Sequence, residues 1–213
     1  MSETPQSLFD PLAEDYESIR KELSWDPFPH IQCAFENRSL KGLEILDAGC
    51  GTGECSRWFQ AQGAVPCGLD ISPEMCFLAA DRSENILYLN HDLSEPLPFA
   101  DKRFDAVVAL GCLEYIEDIE ATIREFRRVL REGGLFLGCF ERYGDDCPGG
   151  VAKNVVFYDD WMRYRQSEHD IQSMLSRYFR HVRLDRVRGF KLTDDEGNDT
   201  GEYTQYIRAI AEI

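Results

Sequence analysis

The chain is poor in bases and holds no long apolar run. Only 23 Lys and Arg stand against 39 Asp and Glu, a formal net charge of −16. A surface this acidic repels phosphate backbones, and nucleic-acid affinity rests largely on Lys and Arg neutralising phosphates. DNA and RNA are therefore disfavoured as partners and a small-molecule substrate is favoured. Arg124, Arg127, Arg128 and Arg131 fall close together, but they suit a solvated helix face whose last turn matches the helix dipole. The most apolar run, residues 106–113, is far shorter than the roughly 20 residues that span a bilayer, so no membrane span is expected. Residues 1–6 lack a basic segment followed by an apolar one, so no secretory signal is read and a cytoplasmic location is expected. Eight cysteines are present, yet no two are spaced C-x-x-C. No metal site is expected, and reduced thiols are the default. The four histidines, His30, His91, His169 and His181, are scattered and read as structural. There are no internal repeats.

What is present is a regular alternation. The chain has 213 residues, 43% of them hydrophobic, enough for one sizeable core and one domain, 1–213. From about residue 44, short apolar runs alternate with amphipathic stretches, the signature of a parallel sheet covered by helices. Residues 44–48, 65–70, 86–90, 104–110 and 135–140 read as strands. Ser72-Pro73 opens a helix, with Ser72 as N-cap and Pro73 at the first helical position. Ile119, Ile123, Phe126 and Leu130 form one apolar helical stripe, which Gly133-Gly134 is expected to stop. Residues 141–165 read as a long connection rich in aromatics: Tyr143, Phe157, Tyr158, Trp161 and Tyr164. A helix over 168–179 and two last strands, near 181–187 and 203–210, complete the chain. The fold class expected is α/β: a three-layer Rossmann-like sandwich with a seven-stranded, mostly parallel sheet and an antiparallel last strand. Leu12, Tyr16, Ile19 and Leu23 have helical spacing, and the first 40 residues are expected to form a helical cap on the carboxyl edge of the sheet.

The most informative segment follows the first strand. Asp47 precedes Gly49, Gly51 and Gly53, and such glycines let a ligand approach the main chain. In open α/β sheets ligands bind at the carboxyl ends of strands. The dinucleotide fingerprint G-x-G-x-x-G fails in both registers, because its third glycine would be Glu54 or Ser56. Asp47 would also stand beside a pyrophosphate, a poor arrangement for a phosphate ligand. It suits a ligand carrying an ammonium and a sulfonium. A nicotinamide-dependent dehydrogenase is disfavoured by the same spacing.

The run Asp47-Ala48-Gly49-Cys50-Gly51-Thr52-Gly53 resembles motif I of the class I S-adenosylmethionine-dependent methyltransferases, in their small-molecule branch. Ile71-Ser72-Pro73-Glu74-Met75, Asp92-Leu93, residues 97–105 and residues 128–134 are similar to later motifs of the same family. The resemblance covers roughly residues 40–140. It implies S-adenosyl-L-methionine as cofactor, with residues 41–140 as the cofactor-binding half and 141–213 as the substrate side. It also implies cofactor contacts from Asp47, Ala48, Gly49, Cys50, Gly51 and Gly53 in the loop. Asp70, with Ile71 and Met75, falls where the family holds the ribose and packs the adenine. Asp92 and Leu93 fall where the family has residues facing the adenine, and Leu110 at the end of the fourth strand is a further implied contact. Tyr16 falls where similar enzymes place an aromatic over the methionine end, where an aromatic face suits a sulfonium. Many small-molecule members carry a histidine after strand four; this chain reads Gly111-Cys112-Leu113-Glu114-Tyr115-Ile116. Glu114, Tyr115 and Tyr143 are therefore the catalytic candidates, with Glu141 as a further candidate for substrate contact. The expected reaction is in-line methyl transfer to a small molecule. A non-catalytic S-adenosylmethionine-binding or partner-regulatory protein is the alternative. These motifs carry no information on the acceptor atom or the oligomeric state.

Overall fold

The computed structural model describes residues 5–142, 155–158, 161–193 and 199–213. Three short helices come first: α1 (Pro5–Leu12), α2 (Tyr16–Glu22) and α3 (Phe28–Phe35). The helical spacing through Leu12, Tyr16, Ile19 and Leu23 is divided at residues 13–15. There the amides of Ala13 and Asp15 bond three residues back, to Asp10 and Leu12 carbonyls, which closes turns instead of continuing the helix. Helix α1 buries none of its own residues.

Strand and helix then alternate: β1 (Glu44–Ala48), α4 (Glu54–Ala61), β2 (Val65–Asp70), α5 (Pro73–Asp81), β3 (Leu87–Asn90) and β4 (Phe104–Ala109). A single 3₁₀ turn at Leu113–Tyr115 leads to α6 (Ile119–Val129) and β5 (Leu130–Glu141). The chain closes with β6 (Val155–Tyr158), β7 (Trp161–Tyr164), α7 (Glu168–Leu175), β8 (His181–Thr193) and β9 (Asp199–Glu212). The main sheet is seven-stranded, ordered β3-β2-β1-β4-β5-β9-β8. All neighbours pair in parallel except at β9, which runs antiparallel to both β5 and β8. The expected sheet is therefore the observed one.

Both faces of the sheet are covered, because successive residues of a strand point to opposite sides. Ile45, Ala106, Val108, Leu135 and Leu137 pack with Ile31 and Phe35 of α3 and Phe59 of α4. Leu46, Ala48, Val107 and Phe136 pack with Ile119, Ile123 and Phe126 of α6 and Ile171 and Leu175 of α7. The order reverses between β1 and β4, so the connections leaving their carboxyl ends part and open a crevice there.

Three local readings are corrected. Leu130 is the first residue of β5 rather than the end of the helical stripe, and Gly133-Gly134 is no helix stop. The final carbonyls of α6 are taken by a distant turn: Lys102 N–H donates to Arg128 O (3.0 Å) and Arg103 N–H to Val129 O (2.8 Å). The glycines lie instead in an irregularity of β5, where the pairing jumps from Phe104↔Leu130 to Ala106↔Leu135. The stretch read as a connection over 141–165 contains the antiparallel pair β6–β7, a separate two-stranded sheet. Its strands are four residues long, too short for periodicity to reveal, and β7 packs on the 3₁₀ turn, a contact remote in sequence.

Candidate active site

The loop after β1 is held by the end of β2. Gly49 N–H and Cys50 N–H both donate to Leu69 O (2.8 and 2.9 Å). Gly51 N–H donates to Asp70 Oδ2 (2.8 Å), while Ser72 N–H donates to Asp70 Oδ1 (3.0 Å). Asp70 thus ties the loop to the start of α5, and Ser72 caps that helix as expected, accepting from Met75 N–H (3.1 Å). Two glycines are required for different reasons. Gly49, at φ +71°, would drive a Cβ to 2.5 Å from Cys112 Cβ, so the loop and the β4 end close on each other there. Gly51, at φ +51°, would place a Cβ 3.5 Å from the Tyr16 ring, across the space that separates loop from cap.

That space is a cavity, open to solvent, at the switch point. Its walls include Tyr16, Gly49, Gly51, Asp70, Ile71, Met75, Asp92, Leu93 and Tyr115. Among the described residues these walls hold two aspartates and no lysine, arginine or histidine. A phosphate would meet only like charge here, and the Gly51 amide that might have bound it is already given to Asp70. A second cavity shares Tyr16, Gly49 and Gly51 and adds Asp47, Cys50, Leu110, Arg20 and Trp25. Of the remaining loop residues, Ala48 supplies the carbonyl that accepts from the Cys112 thiol (3.2 Å), and Gly53 is the left-handed residue that opens α4.

The acids differ in state. Asp47 is buried and accepts from Ser56 Oγ (2.6 Å). Burial pushes its carboxyl up to about 6, with the nearby Asp70 adding to the rise and the Ser56 bond opposing it. Burial also raises Asp70, while its backbone bonds to Ser72 and Gly51 work against that. Asp92 is half-buried and accepts from Ser94 N–H (2.8 Å).

Three features were missed in the sequence. Phe9 of α1 lines the first cavity and packs edge-on against both Tyr16 (6.1 Å) and Tyr115 (5.3 Å), making an aromatic row over it. Nothing in the local sequence distinguishes Phe9 from any apolar residue of an amphipathic helix. Arg20 is buried, donates to Trp25 O (2.5 Å) and pairs with Glu54. Its signal was available: it lies four residues after Tyr16, one helical turn along the same face. Glu17 clamps the cap to the sheet layer, accepting from Thr52 Oγ1 (2.7 Å) and pairing with Arg57 (3.2 Å) and Arg82 (3.1 Å).

The catalytic candidates separate. Tyr115 lines the first cavity. Glu114 does not; its side chain is fully buried behind Tyr115. There Glu114 Oε1 accepts from Arg163 Nη2 (2.8 Å) and from Tyr206 OH (2.6 Å). Arg163 also pairs with Glu141 (2.9 Å), which pairs with Arg165 (3.0 Å). The Arg163 guanidinium lies 5.5 Å from the Tyr115 ring centre and 5.6 Å from that of Phe190. Glu114 and Glu141 are thus brought together, in a buried ionic cluster that fastens β7 to the carboxyl edge of the sheet. Tyr143 lies outside the described residues, as do the side chains of Phe157, Tyr158 and Trp161. The described residues contain no group of three or more His, Cys, Asp or Glu able to hold a metal, and no helix long and apolar enough to cross a membrane.

The chain is similar to known methyltransferases in sequence and in fold. Residues 46–138 match the family model described as a methyltransferase domain. A demethylmenaquinone methyltransferase of Chlorobaculum tepidum is 32% identical over 178 residues, 72% of this chain and 73% of that one. A malonyl-[acyl-carrier protein] O-methyltransferase of Hamiltonella defensa is 34% identical over 134 residues, 62% of this chain and 49% of that one. The chain spans about two fifths to one half of the length of several curated relatives it matches. The fold is that of Burkholderia thailandensis 1,6-didemethyltoxoflavin-N1-methyltransferase, solved with 1,6-didemethyltoxoflavin and S-adenosylhomocysteine bound. The TM-score is 0.70 at 18% identity, over 97% of this chain and 86% of that one.

Proposed function

The chain belongs to the Rossmann-like S-adenosylmethionine-dependent methyltransferases, and we propose that it methylates a small-molecule acceptor held against Tyr115 and Cys112. The observation that carries this reading is the paired cavity at the switch point. One half is walled by Asp70 and Asp92 without a base, the other by Asp47 and Arg20, and the two join at Tyr16 and Gly51. When bound, the cofactor supplies a methyl group already activated by a sulfonium. Asp70 and Asp92 would hold its hydroxyl and amino groups on the adenosyl side. Asp47 and Arg20 would hold the charged groups of its amino-acid end, and the Tyr16 ring suits the sulfonium.

The remaining task of the protein is to orient the acceptor and exclude water. Burial pushes the hydroxyls of Tyr16 and Tyr115 far up, so neither is a ready proton acceptor near neutral pH. Glu114 Oε1 is taken by Arg163 and Tyr206. Among the described residues this favours an acceptor atom that arrives as an anion or with an available lone pair, with Tyr115 positioning it.

Calorimetric titration with S-adenosylhomocysteine tests the site. Asp70→Ala is expected to weaken binding by about 100-fold or more, because it removes a cavity wall and releases the Gly51 amide together. Wild-type affinity in that variant overturns the site. Transfer of labelled methyl to a metabolite extract tests turnover; binding without transfer to any metabolite overturns the enzymatic reading and leaves a cofactor-binding protein.

The pH dependence has a defined sign. A cation beside Asp47 favours its ionised form, so protonation of Asp47 opposes binding. With its carboxyl raised to about 6, the affinity for S-adenosylhomocysteine is expected to be flat above that value and to fall as pH drops through it. Asp47→Asn is expected to give weaker binding without that pH step. Titrations from pH 5 to 8 measure it, and an unchanged step in the variant removes Asp47 from the role.

A further inference from the structure

We propose that the acceptor is a flat aromatic molecule without a carboxylate or phosphate, and that Phe9 and Tyr115 are the residues that select it. The inference rests on the methyltransferase reading proposed above and adds a substrate class to it. Phe9 stands between two other rings, 6.1 Å from Tyr16 and 5.3 Å from Tyr115, at interplanar angles of 80° and 86°. All three rings line the first cavity, and all three residues are only half-buried. They keep ring surface uncovered where a guest would lie, and the neighbouring walls Pro5 and Ile116 are apolar.

An aromatic ring has a negative face and a positive edge, so rings attract one another offset-stacked or edge-to-face. Two rings set nearly perpendicular offer a flat guest both contacts together: it lies along Tyr115 and meets Phe9 edge-on. A saturated body of the same size fills the space without those contacts. Tyr16, the third ring of the row, lines both cavities and so marks their join. A guest on Tyr115 and Phe9 therefore lies beside the place where the methyl group is delivered.

Charge points the same way. Among the described residues the walls of this cavity hold two aspartates and no base. An acceptor with a carboxylate or phosphate would bring a charge that no described wall residue pairs and that the aspartates repel. Arg163 is not one of these walls, and its guanidinium is held by Glu114 and Glu141. It acts through Tyr115 as a positioning residue, lying 5.5 Å from the centre of that ring. In the transfer, a lone pair on a ring nitrogen or ring hydroxyl bonds to the methyl carbon. The carbon–sulfur bond breaks with its electron pair left on sulfur, and any proton on the acceptor atom passes to water at the open mouth of the cavity.

Calorimetry on protein saturated with S-adenosylhomocysteine tests the class with three probes on one two-ring frame. 2-Naphthol is aromatic and uncharged at neutral pH, 2-naphthoate is aromatic and anionic, and 2-decalol is uncharged and saturated. 2-Naphthol is expected to bind at least about tenfold more tightly than either of the others. Phe9→Ala and Tyr115→Leu are each expected to weaken 2-naphthol by about tenfold, while S-adenosylhomocysteine affinity shifts by no more than about threefold. Tyr115→Phe keeps the ring and should restore most of the Tyr115→Leu loss. Equal binding of the three probes, preference for the carboxylate, no binding of 2-naphthol, or 2-naphthol affinity indifferent to both variants overturns the proposal. In the metabolite extract, the labelled product is expected to carry an aromatic chromophore and no carboxylate or phosphate. A labelled carboxyl ester or non-aromatic product overturns the proposal and leaves the enzymatic reading standing. Failure of the wild type to bind S-adenosylhomocysteine instead overturns the cofactor site.

Discussion

Gly51→Val is expected to reduce S-adenosylhomocysteine affinity by more than about 100-fold while leaving the fold intact. Two costs combine. At φ +51° a non-glycine residue occupies the left-handed region, which costs roughly 1–2 kcal/mol for an ordinary side chain and more for a β-branched one. The new Cβ then stands 3.5 Å from the Tyr16 ring. That is ordinary contact for alanine, but the two extra methyls of valine must enter the space shared by both cavities. Gly51→Ala should therefore show the strain alone, a loss of about tenfold, and the step from alanine to valine isolates the filling of the cavity. Calorimetric titration alongside thermal melts separates the cases. A valine variant that binds like the wild type removes the loop from the binding site.

Arg163→Met is expected to cost about 3–5 kcal/mol of stability near neutral pH. Arg163 is the cation between two fully buried carboxylates, Glu114 and Glu141. Without it, two buried carboxylates are left close together with Arg165 still on Glu141 but the Arg163 charge between them gone. For a chain of this size the loss corresponds to a fall in Tm of very roughly 10 °C. The sign of the pH dependence follows from the acids left behind. Burial already holds the Glu141 carboxyl up, and loss of Arg163 removes the charge that opposes this. The variant's native state then binds protons that its unfolded state does not, so its stability deficit shrinks as pH falls and grows as pH rises. Denaturant melts of both proteins at pH 5 and pH 8 measure this, and an equal deficit at both pH values contradicts the cluster as described. Glu114→Gln combined with Arg163→Met should recover part of the loss at pH 8.

The parallel half of the fold was legible because each of its elements announces itself locally. Residues 104–110 form a near-continuous apolar run interrupted at Asp105, Ser72-Pro73 a cap, and the α6 stripe has helical period. The acids at the ends of β1 and β2, and Asp92 after β3, were legible for the same reason: a strand end followed by a turn has a fixed place in this topology. What escaped was whatever depends on residues far apart in the chain. The Glu114–Arg163–Tyr206 bonds join positions 49 and 92 residues apart, and no periodicity marks a buried ion pair. Glu114 looked like a site residue because it follows β4, but its neighbour Tyr115 is the one whose side chain reaches the cavity. The glycines at 133–134 misled because the same residues serve a helix stop and a strand irregularity, and only the distant turn at 102–103 decides between them. Phe9 escaped because a cap residue becomes a cavity wall only once the cap is docked.

The docking of that cap has a kinetic consequence. Helix α1 roofs the first cavity with Pro5 and Phe9 yet buries none of its own residues. It is pinned by the hydrogen bond between Ser72 Oγ and Asp10 Oδ1 (2.5 Å) and by ring contacts, not by the core. Ligand exchange past α1 is thus expected to break a different set of contacts than unfolding of the core. Residence time in the cleft and resistance to heat are therefore expected to be separately adjustable, with changes at Asp10 and Phe9 expected to alter the first more than the second.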